Sequence, residues 1–316
     1  MQLASQNAPL LLALLILLAT LALYGGLFFV AQGSIPGQFE VTQIINNSMP
    51  LAVAAVAQTI IVLTGGIDLS VGGMMDLSNS LAAVNIQDNP ASMVGWTIII
   101  LLVGAAGGLA NGLLVVKGRL QPILVTLATS AIFQGLAIRV LPQPGGSIPR
   151  SYTSLLVNPA APTGVLAVAL LILIWMLFTR TPFGVGVYAI GNDEQAARAN
   201  GVPVQLTKVG AYVMSGVMVA AAGIFLAANA TAGDATSGNV FTMTSIAAAV
   251  LGGVNLAGGR GSAIGAVAGA FTLTILINVL FFAHIDPLYQ SFYQGLFLIL
   301  AVIISTLIGV FLRRRR

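Results

Sequence analysis

PLLLALLILLATLALYGGLFFV, Pro9 to Val30, carries no charge over 22 positions. A helix rises about 1.5 Å per residue, so about 20 apolar residues cross the ~30 Å hydrocarbon layer of a bilayer. The run therefore has the length and composition of one membrane span. No basic residue precedes it, it is longer than a signal-peptide core, and it lacks a clear small-residue cleavage site, so it reads as a retained first span.

The rest of the chain repeats the pattern. Charges fall as punctuation, leaving nearly charge-free stretches from Glu40 to Asp68, Asp88 to Lys117, Arg119 to Arg139, Arg150 to Arg180, Lys208 to Asp234, Asp234 to Arg260, Arg260 to Asp286 and Asp286 to Arg313. With the segment from Leu69 to Asn85, ten spans are expected, near 9–30, 43–64, 69–87, 92–116, 122–141, 163–179, 208–230, 242–258, 262–282 and 289–312. Over 316 residues the chain is 58% hydrophobic and 6% charged, with mean hydropathy +1.00. Soluble globular domains carry about 25% charge, so a soluble protein is excluded and no sizeable extramembrane domain fits. The whole chain, 1–316, is expected to be a single transmembrane domain. It has no cysteine, which removes disulfides, thiolate metal sites and Cys nucleophiles from consideration.

Threading ten spans with the amino terminus in the cytoplasm puts Lys117, Arg119, Arg180, Arg198, Lys208, Arg260 and the tail Arg313 to Arg316 inside, and Glu40, Asp88, Asp234 and Asp286 outside. That obeys the positive-inside rule and makes both termini cytoplasmic. Arg139 and Arg150 are the exceptions, flanking LPQPGGSIPR, whose three prolines and paired glycines cannot continue a helix. The excess of basic residues is a membrane-topology signal rather than a sign of nucleic-acid binding.

Only one loop expected in the cytoplasm is long and hydrophilic: RTPFGVGVYAIGNDEQAARANGVPVQLT, residues 180–207. Within it Asn192 is a candidate N-cap with Gln195 three residues on. Asp193 and Glu194 suit the first turn, and Gly201 followed by Pro203 marks the stop. A helix of about two turns is expected there. Ala196, Ala197 and Ala199 leave it a small, flat surface, which suits either a partner's groove or a plain connector.

The stretch RTPFGVGVYAIGNDEQAARANGV, followed by YVMSGVMVAAAGIFLAA, resembles the permease subunits of bacterial ATP-binding-cassette importers for ribose, xylose and related monosaccharides. TGGIDLSVGG (Thr64 to Gly73), NGLLVVKGRLQPILVTLAT (Asn111 to Thr129) and IAAAVLGGVNLAGGRGSAIGAVAGA (Ile246 to Ala270) resemble the same family, in order along the chain. The resemblance implies a type II-like importer permease and makes 192–201 a coupling helix for a cytoplasmic ATPase. The residues it assigns to coupling are Asn192, Asp193, Glu194, Gln195, Ala196, Ala197, Arg198 and Gly201. It implies further partners: a second permease copy or homologue, and a periplasmic or lipid-tethered sugar-binding protein. ATP and Mg would be held by the ATPase, with no cofactor on this chain. Two departures from the family stand out. Thr242, Thr244 and Ser245 precede IAA where an acid is usual, and Asp76 stands where a small or apolar residue is usual.

Charges at bilayer depth are costly, so Asp68 and Asp76 are functional candidates. Gly65, Gly66, Asp68 and Ser70 suit a helix break, with Asp68 or Ser70 capping the next segment and direct substrate contact as the other role open to Asp68. Asp76 lies roughly 80° around a helix from Asp68, so the two are not an obvious carboxylate pair. LGGVNLAGG, with Gly252, Gly253 and Asn255, echoes TGGIDLSVGG, as a transporter built from internal repeats does. Candidates for a polar translocation path are Gln58, Asn79, Asn111, Phe133, Gln134, Asn229, Tyr289 and Tyr293, because sugar hydroxyls need donors and acceptors and C–H faces need rings. Membrane amides also serve simply to bond neighbouring helices. Gly265, Ala268 and Gly269 read as close helix packing. Arg260 reads as a cytoplasmic charge that suits ATPase contact. The one histidine, His284, reads as interfacial rather than as a metal ligand.

No GxxxxGK[ST], G-x-S-x-G or H-E-x-x-H occurs, so ATP-driven transport needs a separate ATPase and no enzyme activity is expected of this chain. The expectation is an all-α integral membrane protein of about ten helices, some broken, in a bacterial inner membrane, importing a monosaccharide or similar solute. The alternative is an ion-coupled secondary transporter with an intramembrane Asp carrying the proton. The residues 231–239, TAGDATSGN, are a candidate docking surface for the binding protein.

Overall fold

The computed structural model describes residues 8–158, 160–161, 163–286, 288–289, 292–293, 295–297, 299 and 303. Twelve helices run in order: α1 Ala8–Gln32, α2 Gln38–Leu63, α3 Val71–Asn85, α4 Pro90–Val116, α5 Pro122–Val140, α6 Arg150–Leu156, α7 Thr163–Arg180, α8 Pro182–Asn192, α9 Glu194–Ala199, α10 Val204–Ala230, α11 Asn239–Leu251 and α12 Ala263–Phe282. Seven of them, α1, α2, α4, α5, α7, α10 and α12, are long and apolar enough to cross a membrane. Each of the first nine expected spans coincides with a helix. α3 and α11 have 15 and 13 residues; at 1.5 Å per residue they reach about 22 and 20 Å, short of a ~30 Å layer. They are the broken helices that their glycine motifs foretold. The tenth span, 289–312, falls largely outside the described residues, and the Arg313 to Arg316 tail lies wholly outside them.

α2 is the central element, buried without interruption from Ser48 to Leu63 and packed by α10, α12, α11 and α7. Pro50 sits inside it. Proline has no N–H for the carbonyl four residues back, which is that of Asn46. In lipid such a carbonyl must find another donor, and Asn229 Nδ2 from α10 supplies it at 2.9 Å.

α4 and α10 form the most intimate helix pair. Gly104, Gly108 and Gly112, spaced four apart on α4, lie against Gly216, Tyr212 and Val209 of α10. A Cβ at Gly108 would overlap the Tyr212 carbonyl, and one at Gly216 the Gly104 carbonyl. This small-residue seam is legible in the sequence, yet the pattern singled out there was the one in α12. That one holds too: Gly265 and Gly269 press on the Gly252 and Ala248 carbonyls.

Two short helices replace expected loop. α8 begins at Thr181, whose Oγ1 accepts the Gly184 N–H at 3.0 Å, with Pro182 in the first turn. α6 follows directly on the proline–glycine stretch, and Tyr152 holds it to α4 through a 2.7 Å bond with Thr97. One end of the bundle carries Leu63, α8, α9, Lys208 and the 252–262 turn. Gly112 beside Val209 places the end of α4, with Lys117 and Arg119, at the same level.

Candidate functional site

The two helix breaks define the centre of interest. α2 ends in a Schellman turn: Gly66 N–H donates to Ile61 O (3.2 Å), Gly65 N–H donates to Val62 O (2.9 Å), and Gly65 has φ +82°. An extended segment then leads to α3, and side chains from α2, α4 and α5 hold polar groups along it. With its amide turned to serve both, Gln58 donates to Asp68 O (3.0 Å) and accepts from Asp68 N–H (3.2 Å). Leu69 N–H donates to Thr126 Oγ1 at 2.9 Å. Asp68 Oδ1 accepts from Ser70 N–H (2.8 Å) and Ser70 Oγ (2.6 Å), and Asn111 Nδ2 donates to Ser70 Oγ (2.9 Å). Asp68 thus shapes the turn ahead of α3, while Ser70, the N-cap residue, makes no side-chain cap bond.

The cavity beside this cluster, lined by Asp68, Ser70, Met74, Asn111, Phe133 and Val219, has a volume of about 10 Å³. That is room for about one water molecule; ligand pockets measure some hundreds of Å³. The arrangement around Asp68 braces a buried turn and has no room for a sugar.

The second break repeats the first with one shift. α11 ends in its own Schellman turn, Gly253 N–H to Val250 O (2.9 Å) and Val254 N–H to Ala249 O (3.0 Å), with φ +84° at Gly253. The sequence echo pairs Gly65–Gly66 with Gly252–Gly253. The geometry instead pairs Gly65 with Gly253, because the left-handed residue is the first glycine in one motif and the second in the other. Asn255 Oδ1 accepts from Ala257 N–H (3.0 Å), the same side-chain turn that Asp68 makes. Asp68 is buried whereas Asn255 is exposed, which is where the two breaks cease to be alike.

α3 and α11 cap one another. Asp76 Oδ1 on α3 accepts the N–H of Gly238, the N-cap residue of α11, at 2.6 Å. Thr242 Oγ1 on α11 accepts the first-turn N–H of Gly72 on α3, at 3.1 Å. The acid at 76 and the threonine at 242 are thus halves of one reciprocal cap. The 231–239 loop leading into α11 is tied down twice: Asp234 N–H donates to Asn79 Oδ1 on α3 (2.9 Å), and Gly233 pairs with Gly145 in the stretch between α5 and α6. Only Thr231, Thr236 and Asn239 of that loop are fully exposed.

The candidate path residues divide accordingly. Gln58, Asn79, Asn111 and Asn229 all serve as braces between elements. Phe133 is buried and packs against Gly107 and the small cavity. Gln134, the next residue of α5, is partly exposed, and Tyr289 and Tyr293 are exposed. The structure does not gather these eight side chains around one path within this chain.

The loop helix is shorter and differently capped than expected. α9 spans Glu194–Ala199, and its N-cap is Asp193, whose Oδ1 accepts the Ala196 N–H at 2.9 Å. Asn192 instead closes α8 and turns its amide to Tyr188 O (2.9 Å) and Gly259 O (3.2 Å), so the expected Asn192–Gln195 capping box does not form. The reason is local: α8 runs through Asn192, which leaves the next residue as the first with extended backbone. Gly201, at φ +84°, provides the expected stop. Ala197 faces inward, 5% exposed, in a cluster with Ile190 and Val204. The outward face is Gln195, Ala196, Arg198 and Ala199, and three of these line a surface groove together with Glu194. Glu194 bonds to Lys208 (2.6 Å) and Arg198 (3.3 Å). The hydrogen bond from Lys208, with the two cationic charges, holds its carboxyl below the usual range.

Arg260 and His284 are exposed. Among the described residues no group of three His, Cys, Asp or Glu side chains comes together to hold a metal ion.

Comparison with known proteins identifies the kind of machine to which this architecture belongs. Residues 41–302 match the family described as the permease component of the branched-chain amino acid transport system. The chain is 34% identical to the ribose import permease protein RbsC of Bacillus subtilis over 288 residues, covering 85% of this chain and 86% of that protein. It is 31% identical over 307 residues to the Escherichia coli K12 protein of the same name, covering 93% and 92%. It is 33% identical over 296 residues to the autoinducer 2 import system permease protein LsrC of Yersinia pseudotuberculosis, covering 92% and 81%. No solved structure matches. With seven helices long and apolar enough to cross a membrane among the described residues, two shorter ones and a family match over most of its length, the chain belongs to the family described as the permease component of the branched-chain amino acid transport system.

Proposed function

We propose that this chain is the membrane subunit of an ATP-driven, binding-protein-dependent importer of a monosaccharide or a related small polar solute, in a bacterial inner membrane. The observation that carries the reading is α9: a short capped helix with an exposed face of Gln195, Ala196, Arg198 and Ala199, at the end of the bundle that bears Lys117 and Lys208. Likeness to ribose and autoinducer 2 import permeases over most of the chain supports the same reading.

In this scheme a cytoplasmic ATPase receives α9, holds the ATP and Mg, and does the hydrolysis, so the permease itself catalyses no reaction. The positive-inside rule puts that end, and both termini, in the cytoplasm. A second permease copy or homologue completes the path, consistent with candidate path residues that do not converge within one chain. A periplasmic sugar-binding protein docks at the far end, where Thr231, Thr236 and Asn239 are exposed. Arg260, exposed beside the second break, suits contact with the ATPase.

The ion-coupled alternative loses its main support, since Asp68 is engaged in shaping the turn ahead of α3. The test is to purify the tagged chain from native membranes in mild detergent and reconstitute it. The expected result is a co-purifying P-loop ATPase and uptake of labelled ribose or another small polar solute that requires ATP and a periplasmic binding protein. A chain that carries no ATPase and takes up solute on a proton gradient alone would overturn the proposal.

A further inference from the structure

Resting on that reading, we infer that the last turn of α8, with Tyr188, Gly191 and Asn192, is the transmission element through which α9 moves both helix breaks together. Three observations converge there.

The first is bonding. Tyr188 Oη donates to Gly261 O at 2.7 Å, and Asn192 Nδ2 donates to Gly259 O at 3.2 Å, so α8 is fastened twice to the turn after α11. Gly259 N–H in turn donates to Leu63 O at 3.1 Å, the final residue of α2. One chain of hydrogen bonds therefore runs from α8 through the second break to the first.

The second is contact without slack. A Cβ built at Gly191 would overlap both the Leu63 carbonyl and the Gly259 amide, so three backbone segments touch at this residue. Close-packed backbone does not compress, and displacing one segment displaces the others.

The third is the way load enters. α9 is separated from α8 by the single residue Asp193, and Ala197 locks it to Ile190 of α8 and Val204 of α10. α9 packs chiefly on α8 and less on α10, so a push on it arrives first at the end of α8. Tyr188 and Asn192 are thus positioning residues; neither needs to touch solute or nucleotide.

The experiment uses the reconstituted complex of permease, ATPase and binding protein. The chain lacks cysteine, so Ala257→Cys, at an exposed position on the second break, accepts a single spin label. The wild-type complex is expected to show an ATP-dependent change in label mobility. Tyr188→Phe is expected to retain the ATPase in full and its basal hydrolysis. It should weaken the label's ATP response and lower uptake per ATP by about fivefold, the equivalent of one neutral hydrogen bond. If Tyr188→Phe fails to assemble, amide hydrogen exchange of the wild-type complex is the second reading: residues 64–66 and 253–259 are expected to change protection together on ATP addition. Uptake per ATP and a label response both equal to wild type in Tyr188→Phe, or exchange at the two breaks that does not change together, would overturn the inference while leaving the importer reading intact. A wild-type chain that binds no ATPase would overturn the importer reading, and this inference with it.

Discussion

Removing the Asn229 amide should expose the cost of the proline in α2. Pro50 leaves the Asn46 carbonyl without its helical donor, and Asn229 Nδ2 provides the replacement at 2.9 Å across the α2–α10 interface. Leaving a buried carbonyl unpaired costs about 1–3 kcal/mol. Asn229→Ala should therefore lower stability by about that amount. In a Pro50→Ala background the new N–H at position 50 can reach the Asn46 carbonyl, and the same Asn229→Ala change should cost about 0.5 kcal/mol or less, the remainder being lost packing. The interaction energy read from the double-mutant cycle should be about 1–2 kcal/mol. The assay is reversible unfolding of the four purified proteins in one detergent by denaturant titration, with helicity as the signal. Costs that simply add, to within about 0.5 kcal/mol, would show that Asn229 serves something other than the carbonyl freed by Pro50.

Three further outcomes follow from the packing and the loop. Gly108→Ala, which must push α4 off the Tyr212 carbonyl, should destabilise by about 1–3 kcal/mol, whereas Gly135→Ala on α5, with open space around it, should be neutral or stabilising by up to about 1 kcal/mol; equal thermal midpoints for the two would contradict the seam. Ala197→Glu should unfold α9 locally by forcing a carboxylate into the Ile190–Val204 cluster, at a cost of roughly 2 kcal/mol or more, read as faster amide hydrogen exchange over residues 190–204. Ala196→Glu, on the exposed face, should leave exchange unchanged and weaken ATPase binding instead. Glu194, whose carboxyl the hydrogen bond from Lys208 holds below the usual carboxylate range, stabilises the loop at neutral pH, and that contribution fades as pH falls through the depressed value. The gap between wild type and Glu194→Gln should therefore be at most about 1 kcal/mol at pH 7, because both partners are partly solvated, and should close in acid; a gap that widens below pH 4.5 would reverse the assignment.

Charge-free runs located eight of the described helices because a charge in hydrocarbon is costly wherever it falls, a penalty that depends on sequence position alone; α3 carries Asp76 and is read instead as a separate segment between Asp68 and Asp88. The glycine motifs at 65–66 and 252–253 announced breaks for a similarly local reason: a left-handed turn residue is a property of the chain itself. Even so, a one-residue offset between the two breaks stayed hidden, since either glycine of a pair can take positive φ. The Asn192 cap was misplaced by one residue for the same kind of reason, as Thr181–Pro182 started a helix that consumed Asn192 before α9 began.

Partner choice was a different matter. Nothing near Asn229 in the sequence indicates that its amide serves a carbonyl 183 positions away, and nothing near Asp76 indicates that it accepts from a helix N-cap residue 162 positions later. Ala196 and Ala197 are adjacent and chemically identical, yet one faces outward and the other is buried. A multi-helix membrane protein with two breaks and a capped loop helix is legible along the chain, because those features depend on desolvation and local backbone geometry. Which polar group satisfies which, and the meeting of the loop helix, α8 and both breaks at Gly191, come from packing alone, because those pairings arise between segments that touch only once the chain has folded.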